Sequence, residues 1–319
     1  MAYDVIGDVH GQDGKLEQLL QRMGYVAHGR GYKAPQGRQA VFLGDLIDRG
    51  SGQVRVVEIA RAMVESGDAR CIMGNHEFNA IAYVSDDPKN PAEALRPNRL
   101  ESPKSHKNRH QHAAFLTQVG SGSALHRSMI DWFKTLPVFL DLGGIRVAHG
   151  CWDEASVQTL SAAGWDGHRP LSDSLLQEAC RMETAQQESA LMRARKLLTC
   201  GLELNLPEGV TIEAKNGEQF DNVRIANWRY WAKAFHEVAL VSPRQAQALM
   251  HLPWPDNLTI LPIEGAPIFL GHHWFSGQPV IECPKLACLD WSAALSGPLV
   301  SYRWDGEETL SNSSLIWTQ

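Results

Sequence analysis

The sequence predicts an α/β protein. Two observations carry that expectation: short apolar runs that stop abruptly at glycine and polar residues recur five times, and strand–helix–strand alternation occupies residues 1–75. The composition, 44% hydrophobic and 21% charged, is that of an ordinary globular chain and excludes global disorder. At 319 residues the chain is within reach of one elaborated α/β domain. The expectation is a single domain over 1–319, with insertions at about 85–135 and 155–262.

The elements follow in order. Tyr3–Ile6 runs into Gly7-Asp8-Val9-His10-Gly11, and Ala40–Leu43 into Gly44-Asp45-Leu46-Ile47-Asp48-Arg49-Gly50. Cys71–Met73 runs into Gly74-Asn75-His76-Glu77, Ile145–Ala148 into His149-Gly150, and Pro267–Leu270 into Gly271-His272-His273-Trp274. Short aliphatic runs closed by glycine read as buried strands ending in tight turns. Between them, Leu16, Leu19, Leu20 and Met23 follow helical spacing before Gly24, and Val57, Ala60 and Val64 before Gly67. Ser172–Arg195 reads as helix, and Ala287–Trp304 as the strands of a hairpin.

Other classes are excluded or disfavoured. The formal net charge of −6 argues against a general nucleic-acid coat. No run of 18 apolar residues suggests a membrane span, and the N-terminus lacks the basic start of a signal peptide. Six cysteines without a Cys-x-x-Cys pair fit reduced thiols in the cytoplasm.

Thirteen histidines outnumber phenylalanine, methionine and tyrosine taken singly, and histidine is the commonest metal ligand and acid–base residue. Ligands of α/β sheets gather at the carboxyl ends of strands, so five polar clusters at five strand ends suggest one convergent site. Asp8, His10, Asp45, Asn75, His149 and His272 form a mixed oxygen and nitrogen donor set suited to Mn²⁺, Fe²⁺ or Zn²⁺. Two such ions, about 3.5–4 Å apart, clamp phosphoryl oxygens and provide hydroxide near neutral pH. Gly7, Gly44, Gly74 and Gly271 each directly precede one of these residues, as close backbone approach requires.

Gly-Asp-Val-His-Gly, Gly-Asp-Leu-Ile-Asp-Arg-Gly and Gly-Asn-His-Glu resemble the first three signatures of the calcineurin-like metallophosphoesterases. His149-Gly150 and Gly271-His272 are similar to the later histidine motifs, and the ordered set spans residues 7–272. The narrower resemblance is to the phosphoprotein phosphatase branch, with its bacterial Ser/Thr phosphatase and symmetrical diadenosine-tetraphosphatase members. It implies a four-layer sandwich of two packed mixed β-sheets flanked by helices.

The same resemblance implies roles. Asp8, His10 and Asp45 would hold one divalent metal ion, and Asp45, Asn75, His149 and His272 a second, with Mn²⁺ the first expectation. A bridging hydroxide would attack phosphorus, His76 would protonate the leaving group, Asp48 would orient His76, and Arg49 would bind phosphate oxygens. The implied substrate is a phosphomonoester, including phosphoserine or phosphothreonine, or alternatively a symmetrical dinucleoside tetraphosphate. A nucleotide or nucleic-acid-end phosphatase, or a scaffold without catalysis, stands further off. The expected partner is a phosphorylated protein, nucleotide or small molecule, not a membrane or a nucleic acid.

Arg224, Arg229 and His273 are further candidates for substrate contact. Glu77 reads as a structural hydrogen-bond acceptor at a helix start. The basic stretch Arg96–Arg109, with His106, His110 and His112 in or beside it, reads as a solvated mobile loop. Asp131-Trp132-Phe133, the late tryptophans and Cys151 read as packing.

Overall fold

The computed structural model describes residues 1–184, 187–213, 217 and 219–318. The chain divides into two compact units, Met1–Cys200 with Ala266–Gln319, and Gly201–Gly265.

In the larger unit, Ala2–Ile6 is the central strand of a five-stranded sheet. It pairs in parallel with Arg38–Phe42, which pairs in parallel with Ala69–Cys71. On its other edge it pairs antiparallel with Val300–Trp304, and that strand pairs antiparallel with Leu315–Trp317. A four-stranded sheet places Ile268–Leu270 in parallel between Leu286–Cys288 and Arg146–Ala148, with Phe139–Asp141 antiparallel at the edge. Val5, Val41, Leu43 and Tyr302 from the first sheet share one buried core with Ile145, Val147, Phe269 and Ala287 from the second. The two mixed sheets therefore pack face to face, the α/β sandwich that the motif resemblance implies.

Helices close the outer faces for reasons visible in their periodicity. Asp13–Arg22 buries Leu16, Leu19 and Leu20, and Gln53–Glu65 buries Val56, Val57, Ile59, Ala60 and Met63. Both connect parallel strands, so the opening of the chain is a pair of βαβ crossovers.

Three local expectations are corrected. Ala287–Trp304 is not a hairpin: Leu286–Cys288 belongs to one sheet and Val300–Trp304 to the other. The two runs are alike in alternation, and only packing decides which sheet each joins. Ser172–Arg195 is not continuous helix; Asp173–Glu178 and Ala190–Cys200 are separate helices. The basic stretch is also not a mobile loop. From Pro103 it is part of the helix Pro103–Val119, with Ser102 Oγ accepting the Ser105 N–H at 3.1 Å as its cap. Arg96 and Arg109 are engaged by Gln111, the Asn98 carbonyl and Glu101.

The unit Gly201–Gly265 pairs Glu203–Asn205 with Asn222–Arg224 and Ile212–Glu213 with Gln219–Phe220. Its own core holds Leu206, Val223, Ile225, Phe235, Val238 and Leu249. Trp228 is buried and Trp254 packs on that core, whereas Trp231 is exposed. No helix among the described residues is long and apolar enough to cross a membrane.

Candidate metal centre

The loops that follow Ala2–Ile6, Arg38–Phe42, Ala69–Cys71, Arg146–Ala148 and Ile268–Leu270 meet at one place. Asp45 is its hub. Asp45 Oδ2 lies 3.6 Å from His10 Nε2, 3.2 Å from His149 Nε2 and 3.8 Å from His76 Nε2. Asp45 Oδ1 accepts the His76 backbone N–H at 2.9 Å. Among the described residues, His10–Asp45–His76 and Asp45–His149–His272 are the two groups whose donor atoms can hold a metal ion, all within 4.8 Å of one another in each group. Asp45 is common to both. Asp8 joins through Oδ2, which accepts the His272 N–H at 3.0 Å and lies 4.0 Å from His149 Nε2.

The donor set fits divalent cations on two independent grounds. First, the histidine tautomers are fixed. His10 Nδ1 donates to the Ile47 carbonyl at 2.8 Å, and His149 Nδ1 donates to the Leu43 carbonyl at 2.7 Å. Each bond commits Nδ1 and turns Nε2 toward Asp45, the arrangement metal-ligating histidines adopt, with the His10 Nε2 unprotonated and the His149 Nε2 holding a proton that a cation would displace. Second, Asp8 Oδ1, His10 Nε2 and Asn75 Oδ1 are buried with no hydrogen-bond partner among the described residues. Buried polar atoms are otherwise almost always satisfied, so these three are suited to binding a positive group.

The electrostatics agree. Burial, reinforced by Asp290 and Asp45, pushes the Asp8 carboxyl well above the usual carboxylate range. Asp45 is buried too, but His149 and His76 hold it well below that range. Burial and the neighbouring His76 push His10 down to about 3, so it carries no charge near neutral pH. Burial disfavours charge on His149, yet Asp45 and Asp8 raise it to about 10. A cation would take over the role that this proton plays among the carboxylates.

Beside the hub, His76 Nδ1 donates to Asp48 Oδ2 at 2.5 Å. Burial pushes His76 down, but Asp45 and the bonded Asp48 raise it above its ordinary value. Asp48 has a second partner: His112 Nδ1 donates to its Oδ1 at 2.8 Å. The Arg49 guanidinium stacks on the Trp274 ring, 3.7 Å from its centroid. Trp274 donates its backbone N–H to Asp290 Oδ2 at 2.8 Å.

The backbone is shaped to make this possible. Among the described residues, the non-glycine residues with positive φ are His10, Asp45, Asp48, Arg49, His272, Trp274 and Ser292, all in or beside the centre. Such conformations cost about 1–3 kcal/mol each and persist only where the surrounding structure holds them in place. At Gly271 and Gly74 an added Cβ would lie 2.1 Å from Asp8 Oδ1 and 2.2 Å from Asp45 Oδ1, so only glycine admits the carboxylates. Glu77 binds the loops together, accepting the backbone N–H groups of Asp45, Leu46 and Gly74.

The structure thus brings together Asp8, His10, Asp45, Asn75, His76, His149 and His272, with Asp48 and Arg49 beside them. His273 Nε2 donates to the Gly150 carbonyl at 2.7 Å. Arg224 meets Glu203 and Arg229 meets the Glu237 carbonyl, both within the unit Gly201–Gly265. Sequence reasoning put His112 with a solvated basic loop and gave Asp290 and the stacking of Trp274 no place in the site. His112 had a legible signal: Ser105, Asn108, His112, Phe115 and Val119 form the buried stripe of one helix, and a histidine there needs a polar partner.

Residues 1–188 match the family model described as calcineurin-like phosphoesterase. The asymmetrical bis(5'-nucleosyl)-tetraphosphatase PrpE of Bacillus subtilis (strain 168) is 35% identical over 88 residues, which are 28% of this chain and 36% of that protein. Its counterpart in Halalkalibacterium halodurans is 40% identical over 84 residues, 26% of this chain and 34% of that one. The match thus spans about a third of these relatives' length. A solved protein serine/threonine phosphatase from Saccharomyces cerevisiae aligns over 100% of this chain and 79% of its own, at 14% identity and a TM-score of 0.43.

Proposed function

The chain belongs to the calcineurin-like phosphoesterase family, and from that premise we propose that it hydrolyses phosphomonoesters at a two-metal centre. The single observation that carries the proposal is Asp45, shared by two donor groups and ringed by three imidazole nitrogens. Asp8, His10 and Asp45 would hold one divalent cation and Asp45, Asn75, His149 and His272 the other, with Mn²⁺ ahead of Fe²⁺ or Zn²⁺. When bound, such a pair neutralises phosphoryl charge and makes hydroxide available near neutral pH.

The remaining steps fall to the protein. Arg49 binds two phosphoryl oxygens through its planar fork and so orients the ester. His76, its Nδ1–H held by Asp48, gives its Nε2 proton to the leaving oxygen as the P–O bond breaks. His273, Arg224 and Arg229 are kept as candidate substrate contacts. The whole chain 1–319 acts as one metallophosphoesterase domain, and its proposed location is the cytoplasm.

A second reading is hydrolysis of a symmetrical dinucleoside tetraphosphate; the curated relatives are named as tetraphosphatases too, though of the asymmetrical kind. One experiment separates the two: turnover with added Mn²⁺ of phosphoserine and phosphothreonine peptides, diadenosine tetraphosphate, mononucleotides and a phosphodiester. Preference for the phosphopeptides and mononucleotides is the expected result. Preference for diadenosine tetraphosphate selects the second reading, and no turnover with any of them, together with no bound metal, ends both.

A further inference from the structure

Asp48 is held from two sides. Its Oδ2 meets His76 Nδ1 at 2.5 Å and its Oδ1 meets His112 Nδ1 at 2.8 Å. His112 comes from the helix Pro103–Val119, 64 residues further along the chain, and its side chain is 4% exposed. The Tyr83 and Phe115 rings pack around it, with centroids 5.0 Å and 5.1 Å away. Because Nδ1 points at a carboxylate, Nδ1 carries the proton. Nε2 lies buried with no hydrogen-bond partner among the described residues, so the ring has no second polar anchor and its orientation follows from Asp48 and the aromatic walls.

The same helix braces this loop elsewhere. Gln118 Oε1 accepts the Gln53 N–H at 2.9 Å, and Gln53 Oε1 in turn accepts the Asp48 N–H at 2.8 Å. Asp48 and Arg49 have φ of 67° and 75°, a conformation that surrounding contacts must hold in place. A carboxylate with one partner can rotate about its terminal torsion; with both oxygens engaged it cannot.

We propose that His112 is a positioning residue, which locks Asp48 so that its other oxygen aligns His76 toward the leaving group. The inference rests on the acid role proposed for His76. It also explains why a helix outside every strand-end cluster presents a histidine from its buried stripe to the site.

The test compares His112→Leu, which keeps the packing and removes the donor, with His112→Asn, whose side-chain N–H₂ restores a donor in the place of Nδ1. With Mn²⁺ present, His112→Leu is expected to lower kcat on an alkyl phosphate by about 10- to 100-fold, as loss of a supporting hydrogen bond does at metal sites. KM should stay put, p-nitrophenyl phosphate should suffer clearly less, and His112→Asn should regain most of the rate. Equal losses on both substrates, or no recovery with asparagine, would mean that His112 only packs.

A second measurement does not need turnover. In the metal-free protein the downfield Nδ1–H proton resonance of His76, assigned by its loss in His76→Asn, should broaden in His112→Leu and sharpen again in His112→Asn. An unchanged His76 resonance overturns the proposal. Should the wild-type protein hydrolyse no phosphoester, the function reading fails, and this resonance still decides the role of His112.

Discussion

Asp4 and Asp8 are four residues apart, both are fully or almost fully buried, and they are treated in opposite ways. Asp4, inside the strand Ala2–Ile6, is saturated. Arg38 donates to both its oxygens at 2.9 and 3.1 Å, Arg303 at 2.9 and 3.3 Å, and Tyr25 Oη at 3.1 Å. Asp8, beyond the strand's end, has one oxygen on a backbone N–H and the other without a partner among the described residues. Burial and the charges of Asp290 and Asp45 disfavour its ionisation, against the attraction of His149. A buried charge completed by the chain itself ties elements together; a buried charge left incomplete creates a demand that only a bound cation meets.

The largest effect that tests this contrast is on catalysis. Asp8→Asn should lower kcat/KM by about 10²- to 10³-fold, the scale on which loss of one preorganised electrostatic group acts. The melting temperature of the metal-free variant should stay level or rise, since a repelled charge has been removed. A clear fall in that temperature, with activity retained, would show that Asp8 serves the fold as Asp4 does.

Asp4→Ala should do the reverse. Stranding two guanidinium groups against a buried position costs about 3–5 kcal/mol, read as a lower denaturation midpoint. The fraction that remains folded should keep its specific activity and its bound metal. Loss of metal at temperatures where the variant is still folded would break the comparison.

The pH dependence of metal loading is a third, smaller effect. Without a cation, Asp45 and Asp8 hold the His149 proton up to about 10. A metal needs the unprotonated nitrogen, so that proton must leave on binding. Apparent affinity should therefore rise by about tenfold per pH unit between pH 6 and 8 for each proton released. Calorimetric titration in buffers of different ionisation enthalpy reads that release directly, and a proton count of zero would contradict it.

The smallest effect concerns a carboxylate satisfied by backbone alone. Burial pushes Glu93 up, but the N–H groups of Asn98, Arg99, Ala94 and Leu100 hold it down to about 2. A depressed carboxyl stabilises the loop fully above its ordinary value near 4.5 and loses that contribution as pH falls toward 2. Protection from amide hydrogen exchange at Asn98–Leu100, taken relative to the intrinsic rate at each pH, should fall across that window in the wild type and show no such step in Glu93→Gln.

Much of the site was legible because it is local. Asp8-Val9-His10, Asp45 through Arg49 and Asn75-His76 are short runs at the ends of strands that periodicity reveals, and each carries its own glycine. Chemistry at a strand end needs donors close in sequence and a backbone free to bend, so composition and spacing record it. The fold class was legible for the same reason, since alternation of short apolar runs and helical spacing is also local.

What the sequence by itself determined was therefore the donor set, its order along the chain and the α/β class. Only the tertiary structure decided that Leu286–Cys288 and Val300–Trp304 part into different sheets, that Asp290 accepts the Trp274 N–H, that Arg49 stacks on Trp274 and that His112 reaches Asp48 from 64 residues away. These pairings join segments whose own patterns are ordinary. Their meaning arises from which buried polar atom meets which, and long-range packing sets that rather than local spacing.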